Sequence, residues 1–184
     1  ATYGSSAEGF AIIPLPAAAY VTDLSQASAT SNVRLAAGAP ALSTSKSVNS
    51  ILFDPGASIS GIDATLTVNS GRMIFVNGGL IGVTNLNAVG GMIDVLAGTT
   101  TISSNIYAGN VQKGGRGTLA LSGDSQTTGA INVNEGIIEV RHNNALGSPA
   151  GTTTVRQGAT LQTIGGLTVG VEPVTAQGVG FSPN

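Results

Sequence analysis

A six-residue word, apolar–any–apolar–any–any–Gly, recurs along this chain and restricts its fold more than any other feature. It reads VRLAAG at 33–38, ILFDPG at 51–56, LTVNSG at 66–71, IDVLAG at 93–98 and INVNEG at 131–136. TTVRQG at 153–158 fits with Thr153 in the first apolar place, and overlapping copies end at Gly78 and Gly79. In an extended strand residues two apart share a face, so Ile131 and Val133 point inward while Asn132 points out. The glycine three places on supplies a turn that uses positive φ without a Cβ penalty. A second short strand follows it, with Ile138 and Val140 after Gly136, or Met73 and Phe75 after Gly71. In other copies the apolar residue comes one place later, as Leu161 does after Gly158. That slip predicts an extra residue or a bulge in those turns, because a one-residue shift would otherwise swap faces.

The template glycines at 38, 56, 71, 98, 136 and 158 are unevenly spaced, and GTLALSG at 117–123 divides the widest gap. Intervals of roughly 20 residues are too long for hairpins and suit the rungs of a solenoid. No run of ten or more residues carries a 3.6-residue apolar period with charged flanks. ALSTSKSVNSIL (41–52), rich in Ser and Thr, reads as loop followed by strand. The predicted fold is therefore all-β, a parallel β-helix (β-solenoid) of about eight or nine rungs, forming a rod about 40 Å long at 4.8 Å per rung. Its rival is an antiparallel sandwich, which would place Ile131/Val133 and Thr153/Val155 in facing sheets instead of one above the other.

Stacking also accounts for the composition. Charged residues make up 9% of the chain, against about 25% in ordinary soluble domains. Inward charges are costly to desolvate and identical outward charges in register repel, whereas Asn, Ser and Thr can form ladders. A hydrophobic fraction of 41% argues against disorder. The net charge is −2 and the seven basic residues are dispersed, so they form no cluster suited to nucleic acid. A basic amphipathic stretch for inserting into a membrane is missing as well. Without cysteine there is no disulfide, thiolate metal site or thiol nucleophile. FAIIPLPAAAYV (10–21) is too short to span a bilayer and lacks the basic flank of a signal peptide. It reads as part of an N-terminal edge or contact segment over residues 1–24, with the solenoid over 25–184. Ala1 in place of Met reads as the mark of a processed or excised piece.

The acidic residues are Glu8, Asp23, Asp54, Asp63, Asp94, Asp124, Glu135, Glu139 and Glu172. Polysaccharide-cleaving β-helices place paired carboxylates, or carboxylates with a basic residue, on one face of neighbouring rungs. Glu135, Glu139, Arg141 and His142 form the one charged neighbourhood worth weighing, and it reads as a solvated face with Glu139 and Arg141 paired outward. His142, the sole histidine, sits at the entrance of the loop HNNALGS and reads as a turn residue, too isolated for a metal site. GGRG (114–117) lacks the GK[ST] ending of a phosphate loop and reads as a turn. Asp124 lacks the repeated Asp positions of a calcium-binding nonapeptide. No catalytic, cofactor-binding or metal-binding residue is therefore assigned, no cofactor is expected, and the chain reads as non-enzymatic.

KGGRGTLALSG (113–123), TTGAINVNEGIIEV (127–140) and NNALGSPAGTTTVRQGATLQ (143–162) together resemble the autotransporter-associated β-strand repeat. VNSILFDPGASI (48–59) and GGMIDVLAGTTTISSNI (90–106) resemble the segments that precede such repeats in long surface proteins. The likeness covers roughly residues 45 to 165 and departs at SGDSQTTG (122–129), which lacks the usual aromatic before the glycine. It implies a right-handed parallel β-helix in secreted or cell-surface proteins of Gram-negative and related bacteria, and carries no active site to transfer. The expected function is a structural passenger or stalk, or a self-assembling extracellular filament subunit. The expected partners are other copies of the chain or adjoining solenoid segments, end to end. An adhesin for carbohydrate or host surfaces is the alternative, with Tyr20 and Tyr107 as the aromatic contacts and surface glycans as the partner. The sequence shows no capping helix at either end; Pro14, Pro16, Pro173 and Pro183 are candidates to blunt the exposed strand edges.

Overall fold

A computed structural model describes residues 2–6, 9–13, 15–38, 40–170 and 172–178, with side chains from residue 15 onward. Glu8, Pro14 and Pro183 lie outside the described residues. The strands are β1 (Thr2–Ser6), β2 (Gly9–Ile13), β3 (Asn32–Leu35), β4 (Lys46–Phe53), β5 (Ser58–Phe75), β6 (Gly79–Ala88), β7 (Met92–Val95) and β8 (Thr99–Ile102). They continue as β9 (Asn105–Tyr107), β10 (Val111–Gly114), β11 (Thr118–Leu121), β12 (Ile131–Val133), β13 (Gly136–Val140), β14 (Thr153–Val155), β15 (Ala159–Thr163) and β16 (Val174–Ala176). Apart from the antiparallel pair β1–β2, every strand pairing among the described residues is parallel. Two short 3-10 turns, Ala17–Ala19 and Leu24–Gln26, are the only helical elements among the described residues.

The chain winds into a β-solenoid of about seven turns, slightly fewer than the sequence spacing suggested. Its first face stacks β3, the end of β4, the end of β5, β7, β10, β12, β14 and β16. The register fixes one central inward column: Val33, Ile51, Met73, Ile93, Lys113, Val133, Val155 and Ala176. Its members follow one another at nearly even intervals, so each turn consumes roughly 20 residues, at the short end of solenoid repeats. Ile131 sits over Thr153 and Val133 over Val155 in parallel register, which excludes the sandwich.

The second face stacks the start of β5, the start of β6, β8, β11, β13 and β15, with Ile59, Ile81, Ile102, Leu121, Val140 and Thr163 in one column. The third face carries Leu66, Leu86 and Ile106 inward from β5, β6 and β9. β4, β5 and β6 each run round a corner, and in β5 the register shifts between Gly61 and Thr65, where Asp63 takes φ of 59°. The interior formed by these columns is almost wholly aliphatic, with Phe53 and Phe75 stacked at a centroid distance of 4.2 Å.

Most copies of the six-residue word are the first-face strand and the corner after it. The corner glycines 38, 56, 78, 98, 136 and 158 all have positive φ. LTVNSG differs: Leu66 and Val68 belong to the third face, and Gly71 turns the chain into the first. Removing Gly71 and admitting Gly78 and Gly115 turns the uneven sequence intervals into the even rung period. The extra residue predicted after Gly158 is also present, since Gly136 pairs with Ala159.

The two ends differ. At the N-terminal end the Leu24–Gln26 turn closes the interior, with Leu24 and Ala27 buried in the core. Asp23 caps that turn by accepting the Ser25 N–H at 2.8 Å, and Lys46 Nζ donates to the Ser25 carbonyl at 2.7 Å. Val21 bridges to Val33 and starts the first face. The cap that the sequence did not reveal is thus a 3-10 turn with an apolar plug. At the other end β16 is exposed along its whole length.

Candidate functional site

Charge on this solenoid is spent mostly between rungs. Arg34 pairs with Asp54 at 3.0 Å, Arg72 with Asp94 at 3.1 Å and Arg116 with Glu135 at 3.3 Å, each across one turn. Such exposed or half-exposed pairs contribute little stability, but they neutralise carboxylates that the sequence offered as candidates. Glu135 and Glu139 do not converge. Glu139 pairs with Arg141, and Gln162 Nε2 donates to its other oxygen at 2.9 Å. Glu139 is only 9% exposed, so its carboxylate is covered by these partners and departs from the solvated face expected for it. His142 Nδ1 accepts the Asn144 N–H at 3.2 Å and stabilises the loop entrance, as a turn residue does. GGRG is a turn, with Gly115 at φ of 72°. Among the described residues no group of three or more His, Cys, Asp or Glu could hold a metal ion.

The most unusual ionisable group is one the sequence reading passed over. Lys113 occupies the central inward column between Ile93 and Val133 and is fully buried. It marks a change of register. In the four turns above, a second inward column runs Leu35, Phe53, Phe75 and Val95. From β10 onward that column is gone, and a new one begins two residues earlier with Val111, Ile131, Thr153 and Val174. The chain turns early at Gly114–Gly115, and a Cβ at Gly117 would come within 2.6 Å of Val95 Cγ1. The Lys113 stem fills the aliphatic column while its ammonium donates to the carbonyls of Gly114 (2.7 Å), Gly115 (2.5 Å) and Glu135 (3.0 Å). All three ammonium donors are thereby satisfied. The sequence signal was available: Lys113 stands two places after Val111, where the template asks for an apolar residue.

Burial lowers the Lys113 ammonium from 10.5 to about 8, against the pull of the Glu135 and Asp94 carboxylates. An unfolded chain with an ordinary lysine holds more protons than the folded chain between these values, so this group makes stability rise as pH increases across that window. Urea midpoints measured at several pH values from 7 to about 10 should show this contribution. The rise should be reduced in Lys113→Met; an unchanged slope in the variant would remove Lys113 as its source. Sealed from solvent, the amine cannot reach an external substrate, and its role is to join the two registers.

Glu172 is a carboxyl perturbed by burial. Burial raises it, opposed by the Thr153 hydroxyl, which donates to Oε1 at 2.7 Å. The two tyrosines singled out from the sequence separate. Tyr20 lies half-buried beside Ser50, Leu52, Arg72 and Ile74 on the outside of the first face. Tyr107 is 43% exposed on the outside of the third face. Below Tyr107 a groove of about 440 Å³ opens, lined by Asp124, Gln126, Thr128, Asn144, Ser148 and Pro149 among others.

Comparisons with protein-family models, curated proteins and solved structures found no match. The functional reading therefore rests on the sequence and on the geometry of the solenoid.

Proposed function

We propose that this chain is a non-catalytic structural segment, a rigid length of a bacterial secreted or cell-surface protein that serves as passenger or stalk. The observation that supports it best is the asymmetry of the ends. The Leu24 plug closes one end, while at the other β16 pairs among the described residues with β14 alone and leaves Val174 51% exposed. Such an edge is a template for another strand. End-to-end contact with an adjoining solenoid segment would satisfy it and lengthen the rod, whereas the plug disfavours indefinite head-to-tail growth of identical copies. About seven turns give a rod on the order of 34 Å. No helix among the described residues is long and apolar enough to cross a membrane.

The location is tested by brief protease treatment of intact cells of the native host. Release of peptides from this chain, with a cytoplasmic marker retained, is the expected result; release only after lysis would refute a surface role. Light scattering tests the assembly, with a discrete small particle expected and continuous fibres favouring the filament-subunit reading.

A further inference from the structure

We propose that the outer side of the third face binds a neutral polysaccharide chain laid along the solenoid axis. This goes beyond the structural role and stands on separate residues. Register places two outward columns there: Thr65, Asn85 and Asn105 in one, and Ser47, Thr67, Asn87 and Tyr107 in the other. Gln126 continues the second column, because its N–H donates to the Ile106 carbonyl at 2.7 Å, and it leads into the groove beside Asp124 and Asn144.

The polar groups of this strip are largely unused, and they stand in continuous columns. Many amides elsewhere on the solenoid are engaged by neighbours. Asn32 accepts from Asn49 and Ser50, Asn69 donates to the Ala29 carbonyl, Asn110 accepts the Ala130 N–H and Asn134 donates to Gln112. On the third face, no side-chain hydrogen bond to another described residue engages Thr67, Asn87, Asn105 or Tyr107. Ser47 is engaged, accepting from Asn69 Nδ2 at 3.3 Å; Asn85 makes only a 3.5 Å contact to Thr65, and Gln126 a 3.4 Å contact to Asp124. Each free carboxamide presents two donors and an acceptor, which suits the paired hydroxyls of a sugar. Rungs about 4.8 Å apart repeat that offer along the axis, as a polymer of repeating units requires. Tyr107 supplies an amphipathic ring in the middle of the strip.

Charge selects among polymers. Lys46 stands beside Ser47 in the first rung of the strip, and its ammonium is turned to the Ser25 carbonyl at the capped end. Among the described residues, Asp124 is the one charged side chain at the lower end of the strip. Nucleic acid and acidic polysaccharide would need phosphate- or carboxylate-pairing cations that this surface does not offer. A lipid surface would need an apolar patch, and the strip is made of amides and hydroxyls.

The test uses the full chain with soluble neutral glucans, mannans and galactans, and with alginate and polygalacturonate as anionic probes, in a quantitative binding assay at two salt concentrations. Binding to at least one neutral polymer, insensitive to salt, is expected. Tyr107→Ala and the double variant Asn87→Ala/Asn105→Ala should each weaken it about tenfold or more, with Tyr20→Ala unchanged. All these positions are on outer faces, and unaltered thermal unfolding shows that the variants retain the fold. No neutral polymer bound at millimolar sugar overturns the proposal, and so does binding only to the anionic probes. Equal binding by the Tyr107 and Asn variants also overturns it. Concentration-dependent dimerisation abolished by Tyr107→Ala, without glycan binding, would reassign the strip to self-association. These outcomes are independent of the protease-release experiment, so either reading can fail alone.

Discussion

Replacing Gly91 by alanine is expected to destabilise the solenoid by more than about 3 kcal/mol. Gly91 has φ of 62°, and a Cβ there would lie 1.7 Å from the Asn110 carbonyl oxygen of the next rung. The left-handed backbone alone costs a non-glycine residue about 1–2 kcal/mol. The collision adds to this, because the obstructing atom is backbone held in the parallel ladder and cannot rotate away. Only separation of the β7 rung from the β10 rung relieves it, which breaks hydrogen bonds such as Gln112 N–H to the Gly91 carbonyl. Gly158→Ala is the matched control: φ is 79°, but nothing lies within 4 Å of the added carbon. It should cost about 1 kcal/mol. Urea unfolding of both variants checks the difference, and equal losses would show that rung spacing does not set the penalty.

Phe75→Ala should cost about 3–5 kcal/mol by the same measurement. Phe75 is fully buried, stacked on Phe53 with ring planes 13° apart, and packed beneath the corner at Gly79. A Cβ at Gly79 would approach the Phe75 ring to 2.9 Å, so the ring already fills the space that the glycine leaves. Truncation leaves a cavity that neighbouring rungs cannot close, because their spacing is fixed by backbone hydrogen bonds on all three faces. Ile62→Ala removes a side chain 87% exposed at a corner and should change stability by less than about 0.5 kcal/mol. A small loss at Phe75 would mean that the interior relaxes freely, contrary to a core of shelved columns.

The parallel β-helix was legible because its signals are short-range. Alternation in INVNEG sets which side chains point inward, and glycine three places later permits the positive φ of the corner. Both effects operate within a single copy of the word. The candidate chemistry was legible in the same way for His142 and GGRG, which are turn residues for local reasons. Glu139 was not, because its cover comes from Gln162 on the next rung.

What local pattern could not decide is which words share a face. LTVNSG obeys the template as well as IDVLAG, yet one lies on the third face and the other on the first. The choice depends on how much chain each corner absorbs. Alternation from Val111 points Lys113 inward, but its place in the central column is fixed by pairing with Ile93 and Val133, one turn away on either side. The N-terminal plug and the strip around Asn87, Asn105 and Tyr107 likewise join residues from different turns. Strand, corner and rung-length repeat are local properties, since backbone sterics and side-chain alternation are encoded residue by residue. The tertiary structure alone decided register, the switch of columns at Lys113 and which polar groups remain free. Those depend on the shared packing of successive turns and on backbone hydrogen bonds between them.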